Sequence, residues 1–533
     1  MPAGTVAREP DQVDVCVIGS GASGAIIASE LAHRGLRILV LETGIAPRTG
    51  DSLRSMEPAW ETAFVRTGGG RLAQTGRPWS ACALGGGTSI FAGITFRFRE
   101  VDFHASPHTA DDALDPTWPF RYADLRKWYD AVERAIGVAR AHGMDPIEPD
   151  AAPPRLPPHP YSAAGALLAE SGLRLGMRPF PTPLAINSIP YGGRPACHRC
   201  GPCNEHVCPT GAKADAAGLF LSPLAHVEEL EVATMSRALR IILASAHQAA
   251  GVEWLNLRNH RRHVTRAKVI VLAANAIQSA AILLRSADRR APRGLGNRYD
   301  MVGRGLSFKV STYLSGYVRH RRNPGIPAGP HSTVSFTDHY LDAEAPLGLG
   351  GLIYEASPED RDVHQGKLKV RLHCLAADQP MPGNRIRLAA AVDADGAARL
   401  VIEYRTHTID TARLRYLARR AEQVLREVGA TEIAEQESGY QAGSRHLHGT
   451  CRAGSDPRNS VVDSWGRVHD TDNVYVVDGG FFPYAGGVNP TFTIQANALR
   501  ISAEITRRLG AGSDANSAEP AMHPMPTEEG HHV

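Results

Sequence analysis

The sequence predicts an α/β protein of two interleaved parts, and three observations predict it. Near the amino terminus a buried strand, a glycine-rich turn, a helix and a second strand follow one another, the pattern of a βαβ unit of about thirty residues. Between about 306 and 405, segments such as KVSTYLSGYV, KLKVRLHCLA and ARLVIEYR alternate apolar and polar residues, the period of an antiparallel sheet. Residues 440–510 then return to glycine-rich turns, one strand and a final helix.

Size and composition fit that division. The chain has 533 residues, 43% hydrophobic and 21% charged, which calls for more than one domain and supplies a sizeable core. Its 58 basic and 55 acidic side chains leave a net charge of +3. So small a surplus makes nucleic acid or an anionic membrane a poor choice of main partner. No apolar run reaches the ~18 residues of a membrane helix. The segment MPAGTVAREPDQ has no apolar stretch of the kind a secretory signal carries, so a soluble, cytoplasmic protein is expected.

Taken in order, VDVCVI (13–18) reads as a strand buried on both faces, and RILVLE (37–42) as the second strand. The helix between them carries small and apolar residues at Ala25, Ile26, Ala28, Leu31 and Ala32. A glycine-rich stretch at 68–93 includes Gly68–Gly70 and Gly85–Gly87. Residues 145–160 are proline-rich and read as a linker or extended loop. A β region at 228–275 ends in VIVL (269–272), and AANAIQSAAILLRS after it reads as a helix. A long helix is expected at about 409–428, a strand at Val474–Val477 and a last helix at Thr491–Leu509. The tail from 511 is rich in Ala, Ser, Pro, Glu and His and reads as disordered.

The turn Gly19-Ser20-Gly21-Ala22-Ser23-Gly24 fits G-x-G-x-x-G. Its place between strand and helix gives the motif its meaning. Gly19 makes the tight turn, Gly21 lets backbone approach a pyrophosphate, and Gly24 lets helix and strand pack closely. Ala22 and Ser23 open the helix, whose amino-terminal dipole favours phosphate. Glu42, at the end of the second strand, is placed to accept hydrogen bonds from ribose hydroxyls. A second glycine-rich segment, with Gly86, Gly87 and Thr88, offers another close backbone approach. Two such contacts suit FAD, gripped at both ends. No second strand-embedded G-x-G-x-x-G for NADPH is found.

These segments resemble the glucose–methanol–choline oxidoreductase family. VIGSGASGAIIASELAHRGLRILVLETG resembles its FAD motif, and LGGGTSIFAG its second glycine-rich signature. WPFRYADLRKWYDAVE and AKVIVLAANAIQSAAILLRS resemble later segments, and 446–500 matches best. The resemblance implies a Rossmann-like FAD-binding domain assembled from 1–105, 190–305 and 440–510. It further implies a connecting or lid region at 106–189, a substrate domain on an antiparallel sheet at 306–439, and the tail 511–533 outside both. It implies His446 and Asn489 as the catalytic pair, with Asp478, Gly479, Pro490 and Thr491 beside the flavin.

Elementary chemistry agrees with that pair. Oxidising an alcohol requires removal of the hydroxyl proton as hydride passes to flavin N5. An imidazole of unperturbed pKa ~6.5 accepts such a proton near neutral pH, and an amide orients the oxygen without titrating. With 23 histidines, residue type alone says nothing. The motif selects His446, with His448 as its neighbour and competitor. Phe91 stands where some relatives carry Asn or a flavin-linked His, so non-covalent FAD is expected.

Of the eight cysteines, Cys16, Cys82, Cys374 and Cys451 are scattered, whereas Cys197, Cys200, Cys203 and Cys208 lie together. Their spacing is one residue too long for a ferredoxin-type run. An iron–sulfur cluster, a zinc site and a cysteine-rich structural loop all remain open. The branch resembled most is that of sugar-oxidising members. It implies a sugar-like alcohol, specifically the 6′-hydroxyl of an aminoglycoside such as paromamine, with O2 or another acceptor taking the electrons. A sugar or glucoside dehydrogenase, a sterol or long-chain alcohol oxidase, and a flavoprotein without catalysis are the alternatives.

Overall fold

The computed structural model describes residues 10–56, 63–66, 72–74, 81–201, 203–319, 329–356, 367–437 and 446–511. Gly68–Gly70 and the tail beyond 511 fall outside them. Three sheets organise the rest.

The first sheet is centred on β1 (Gln12–Ile18), which pairs in parallel with β2 (Ile38–Glu42) on one side and with Arg261–Leu272 on the other. Helix α1 (Gly24–Ala32) connects β1 to β2. Every residue of β1 after Gln12 is buried, as is all of α1. That is why VDVCVI is apolar at every position but one, rather than alternating. The acidic residue, Asp14, accepts from the Arg37 backbone N–H and lies 2.9 Å from Lys268 Nζ. Leu230–Thr234 extends the sheet beyond β2, again in parallel.

The twelve-residue strand Arg261–Leu272 serves two neighbours in turn on its far side. Its first half pairs antiparallel with Ala249–Asn256, which pairs with Ser236–Leu243. Its last residues pair in parallel with Val474–Val476. The carboxy-terminal strand thus enters the sheet that the amino-terminal strand centres.

The second sheet has six antiparallel strands, in the order Ala430–Glu437, Val310–Val318, Leu368–Ala376, Leu352–Glu355, Val334–Phe336 and Phe180–Pro181. One face carries Val310, Leu314, Val370, Leu372 and Cys374, which form a core with Leu417, Ala421, Val424 and Leu425 of helix Thr408–Glu427 and Leu168 of helix Ala163–Arg174. The other face is largely polar. The strand in ARLVIEYR does not join this sheet. Ala398–Glu403 pairs antiparallel with Arg385–Val392 and in parallel with Ala63–Arg66, making a third sheet. Its Leu400 and Ile402 pack with Ile386, Ile277 and Ala281, so burial against helix Asn275–Arg285 decides the sheet it enters.

The proline-rich segment is no free linker. Leu156 is fully buried and bridges Ala139, Arg140 donates to the Ala152 carbonyl, and the Tyr122 hydroxyl donates to the Asp150 carbonyl at 2.6 Å.

Candidate active site

Three glycine contacts build the turn after β1. Gly19 has φ of 101°, and a Cβ there would lie 2.5 Å from the Ala273 carbonyl oxygen. A Cβ on Gly24 would lie 2.0 Å from the Gly19 oxygen, so helix and turn approach as only glycine allows. Gly21 faces Gly86: a Cβ on Gly86 would come within 3.0 Å of the Gly21 Cα. The two glycine-rich segments, distant in sequence, therefore meet at bare backbone. The Ser23 side chain makes no capping bond at the start of α1.

Ser20, passed over in the sequence, ties this cradle together. Its hydroxyl donates to Glu42 Oε2 at 2.6 Å, its backbone N–H donates to the same oxygen at 3.0 Å, and it accepts from the Gly85 N–H at 3.1 Å. Glu42 Oε1 accepts from the Gly44 N–H at 2.7 Å. Burial raises the Glu42 pKa, and these hydrogen bonds oppose the rise. The only advance sign of Ser20 was a hydroxyl between the first two glycines. Thr88 has an internal role as well: its hydroxyl donates to the Gly85 carbonyl at 2.6 Å and accepts from the Ala216 N–H at 2.9 Å. A turn of bare backbone closed by a buried carboxylate fits a dinucleotide: it leaves room for a pyrophosphate and an acceptor for ribose.

Asp478 follows Val474–Val476 and is buried. It accepts from Ser279 Oγ at 2.5 Å and from the Gly480 N–H at 2.7 Å, and burial pushes its carboxyl up to about 6. A Cβ on Gly479 would lie 2.3 Å from the Leu447 carbonyl oxygen. That close approach presses the turn against the segment holding His446. Gly449 N–H donates to the Gly479 carbonyl and Cys451 N–H to that of Gly480, while His448 and Ser307 exchange backbone bonds at 3.0 and 3.1 Å.

His446 and Asn489 meet, with Asn489 Nδ2 3.3 Å from His446 Nε2. Burial, then the charge of Lys309, holds the His446 pKa well below the ordinary imidazole value. His448 is fully buried, its ring stacks on Phe482 at 5.5 Å, and neither ring nitrogen has a partner among the described residues. Of the two histidines, His446 is the one that meets Asn489.

The loop carrying Asn489 is fixed by groups the sequence did not single out. Lys309 Nζ donates to the carbonyls of Ala485 and Gly486. The Tyr340 hydroxyl accepts from the Gly487 N–H at 2.7 Å and lies 2.7 and 2.9 Å from the two Asp102 oxygens. Pro490 and Thr491 then open helix Thr491–Leu509. The polar face of the second sheet carries Tyr313, His373 and Tyr354, paired across neighbouring strands.

The clustered cysteines are free thiols, and Cys200 is exposed. Among the described residues no three His, Cys, Asp or Glu side chains are placed to hold a metal ion, so the iron–sulfur and zinc readings find no support. What organises this loop is Lys213. Its buried ammonium donates to the carbonyls of Phe91, Cys203 and His206 at 2.7–2.9 Å, and burial lowers its pKa to about 8. A separate surface cavity of ≈ 540 Å³, lined by Phe120, Trp128, Trp465 and Arg500 among others, contains none of the predicted residues.

Residues 187–310 and 380–498 each match a family model described as GMC oxidoreductase. The chain is 46% identical over 511 residues to 6′′′-hydroxyparomomycin C oxidase of Streptomyces lividus, covering 94% of this chain and 93% of that one. It is 46% identical over 502 residues to paromamine 6′-oxidase of Streptomyces fradiae, covering 92% and 91%. Pyridoxine 4-oxidase from Mesorbium loti superposes with a TM-score of 0.65 at 19% identity, over 92% of this chain and 99% of that one. That last likeness speaks to the fold.

Proposed function

The chain belongs to the GMC oxidoreductase family and is an FAD-dependent alcohol oxidoreductase; on that premise we propose that it oxidises the 6′-hydroxyl of an aminoglycoside such as paromamine to the aldehyde. The single observation that carries the substrate is the 46% identity, over more than nine-tenths of the chain, to two relatives named for oxidation of such compounds. Both are named oxidases, which favours dioxygen as the acceptor.

The proposed mechanism assigns the residues as follows. Gly19, Gly21, Ala22, Ser23 and Gly24, with Gly86 and Gly87, would hold the dinucleotide, and Glu42, tied to the turn by Ser20, would offer the acceptor for its ribose. Asp478, Gly479, Pro490 and Thr491 would hold the flavin end. When bound, the flavin supplies the acceptor for the substrate's hydride, and Phe91 offers no nucleophile for a covalent link. His446 takes the hydroxyl proton. Held neutral by its surroundings, it is ready to accept that proton at physiological pH. Asn489, 3.3 Å away, orients the oxygen with an amide that does not titrate. The domain division at 1–105, 190–305 and 440–510 against 306–439 is proposed on the same footing. Among the described residues no helix is long and apolar enough to cross a membrane.

Anaerobic mixing with paromamine tests the reading. The flavin should bleach, and readmitted oxygen should restore its colour with one hydrogen peroxide per turnover. Persistent flavin absorbance under saturating paromamine would refute the substrate.

A further inference from the structure

Lys309 combines two unfavourable features at one position. Its side chain is fully buried, and its backbone φ is 61°, in the left-handed region that residues other than glycine rarely occupy. A buried amine on a strained backbone persists only where the surrounding structure over-determines it. Both ends of the residue are held. Asp378 Oδ2 accepts from the Phe308 N–H at 2.8 Å and Oδ1 from the Lys309 N–H at 3.1 Å. At the far end Nζ donates to the carbonyls of Ala485 and Gly486.

These contacts close a circuit through the catalytic pair. Two positions after His446, His448 exchanges backbone hydrogen bonds with Ser307 at 3.0 and 3.1 Å. Two positions after Ser307 stands Lys309, whose Nζ reaches Ala485 and Gly486. Three positions after Gly486 stands Asn489, and its Nδ2 lies 3.3 Å from His446 Nε2. Every link in the circuit is a covalent bond or a hydrogen bond.

The loop at 485–487 has no slack. A Cβ on Gly486 would lie 2.8 Å from the Phe98 ring, and one on Gly487 would lie 2.5 Å from the Tyr340 hydroxyl. That hydroxyl accepts from the Gly487 N–H at 2.7 Å and lies 2.7 Å from Asp102 Oδ1. Two successive buried carbonyls therefore converge on one amine beside a tightly packed turn. Without that amine both acceptors would be stranded, and the turn would relax to pair them elsewhere.

We infer that Lys309 is a positioning residue for the oxidation: it ties the 485–486 turn to the segment paired with His448, and so sets the gap between Asn489 and His446 in which the substrate hydroxyl is oriented. The inference rests on the reading of His446 and Asn489 as the catalytic pair. Donors rather than charge make the tie. Burial lowers the Lys309 pKa to about 7, and a neutral amine still carries two N–H groups, one for each carbonyl. Deprotonation leaves the circuit closed.

The test uses holoenzyme and an alcohol that bleaches the wild-type flavin, so the identity of the natural substrate is tested separately. Lys309→Met removes both donors at similar length. The limiting anaerobic bleaching rate per bound flavin should fall about 10–100-fold, the cost of misplacing a reacting group by about an ångström. The half-saturating alcohol concentration should stay within about threefold. In an Asn489→Ala background the same substitution should cost less than about threefold, because Lys309 acts through Asn489. Hydrogen exchange read by mass spectrometry should show the amides of 485–489 opening about tenfold faster in Lys309→Met. Should that variant fail to hold flavin, Lys309→Ala prepared with propylammonium, the missing part of the side chain, should recover flavin and bleaching. Tetramethylammonium, a cation without N–H, should not. An equal penalty for Lys309→Met with and without the Asn489 amide would overturn the inference. So would unchanged exchange at 485–489, or rescue by both cations or by neither. Wild-type bleaching by Asn489→Ala would remove the catalytic pair, and the inference with it.

Discussion

Lys309 offers a prediction whose size follows from its surroundings. It is fully buried, its ammonium lies 5.1 Å from the Phe98 ring centroid, and it donates to the Ala485 and Gly486 carbonyls. Burial lowers its pKa from 10.5 to about 7, although the charges of Asp102 and Asp378 oppose the shift. The unfolded chain therefore keeps this proton up to about pH 10, while the folded chain releases it near 7. Across that window the unfolded state binds more protons, so stability rises with pH. Below pH 7 both states are charged and the folded state carries the whole burden; above about pH 10 it is relieved. At about 1.4 kcal/mol per pKa unit, some 3 kcal/mol of destabilisation is lifted between pH 7 and 9.5. Lys309→Met keeps the length of the side chain and removes the titration. Its loss of two donors shifts stability by an amount independent of pH, so the slope isolates the charge. Differential scanning calorimetry of holoenzyme should show the wild-type Tm gaining roughly 3 °C on the variant over that interval. Parallel curves for the two proteins would refute the reasoning.

Replacing His446 with Ala should slow anaerobic flavin bleaching by about 10²–10⁴-fold, the usual worth of a positioned general base, with flavin content unchanged. Full-speed bleaching would move the base elsewhere, with His448 next to be tested. In the wild type the depressed pKa of His446 keeps the imidazole neutral from pH 8 down to 6.5, so rapid mixing should find a flat bleaching rate there; a fall centred near 6.5 would show an ordinary imidazole. Glu42→Ala strands the Ser20 and Gly44 donors and should weaken FAD binding roughly 10–100-fold in fluorescence titration of stripped protein; retention at wild-type strength would remove Glu42 from the site. Elemental analysis of purified protein should find no stoichiometric iron or zinc, and a whole-number content would reopen the question for Cys197, Cys200, Cys203 and Cys208.

What the sequence disclosed and what it hid divide along a physical line. β1, the turn and β2 were readable because a glycine turn between a doubly buried strand and a helix is a local pattern. His446 and Asn489 were readable because a motif places each of them. Ser20 was hidden because its worth lies in a hydrogen bond to Glu42, twenty-two positions on. Lys309, in SFKVSTYL, looks like an ordinary outward strand position, and only the folded loop at 485–486 reveals it as buried. His373 and Tyr354 acquire meaning from strand register, which alternation alone does not specify. For the same reason ARLVIEYR was legible as a strand but not as a member of the third sheet.

The insertion of Val474–Val476 beside Arg261–Leu272, one strand away from β1, has a consequence in time. β1 emerges from the ribosome roughly 450 residues before its sheet is complete. At about 5–20 residues per second, the wait is about half a minute to a minute and a half. From the moment Arg261–Leu272 is made, an apolar strand edge lies open beside it for roughly the last 200 residues of that wait, and the segments bearing His446, Asp478 and Asn489 do not yet exist. The flavin therefore joins as a late ligand of a nearly finished chain. Nascent protein stalled before 474 should sediment with chaperones and remain colourless, however much FAD is supplied.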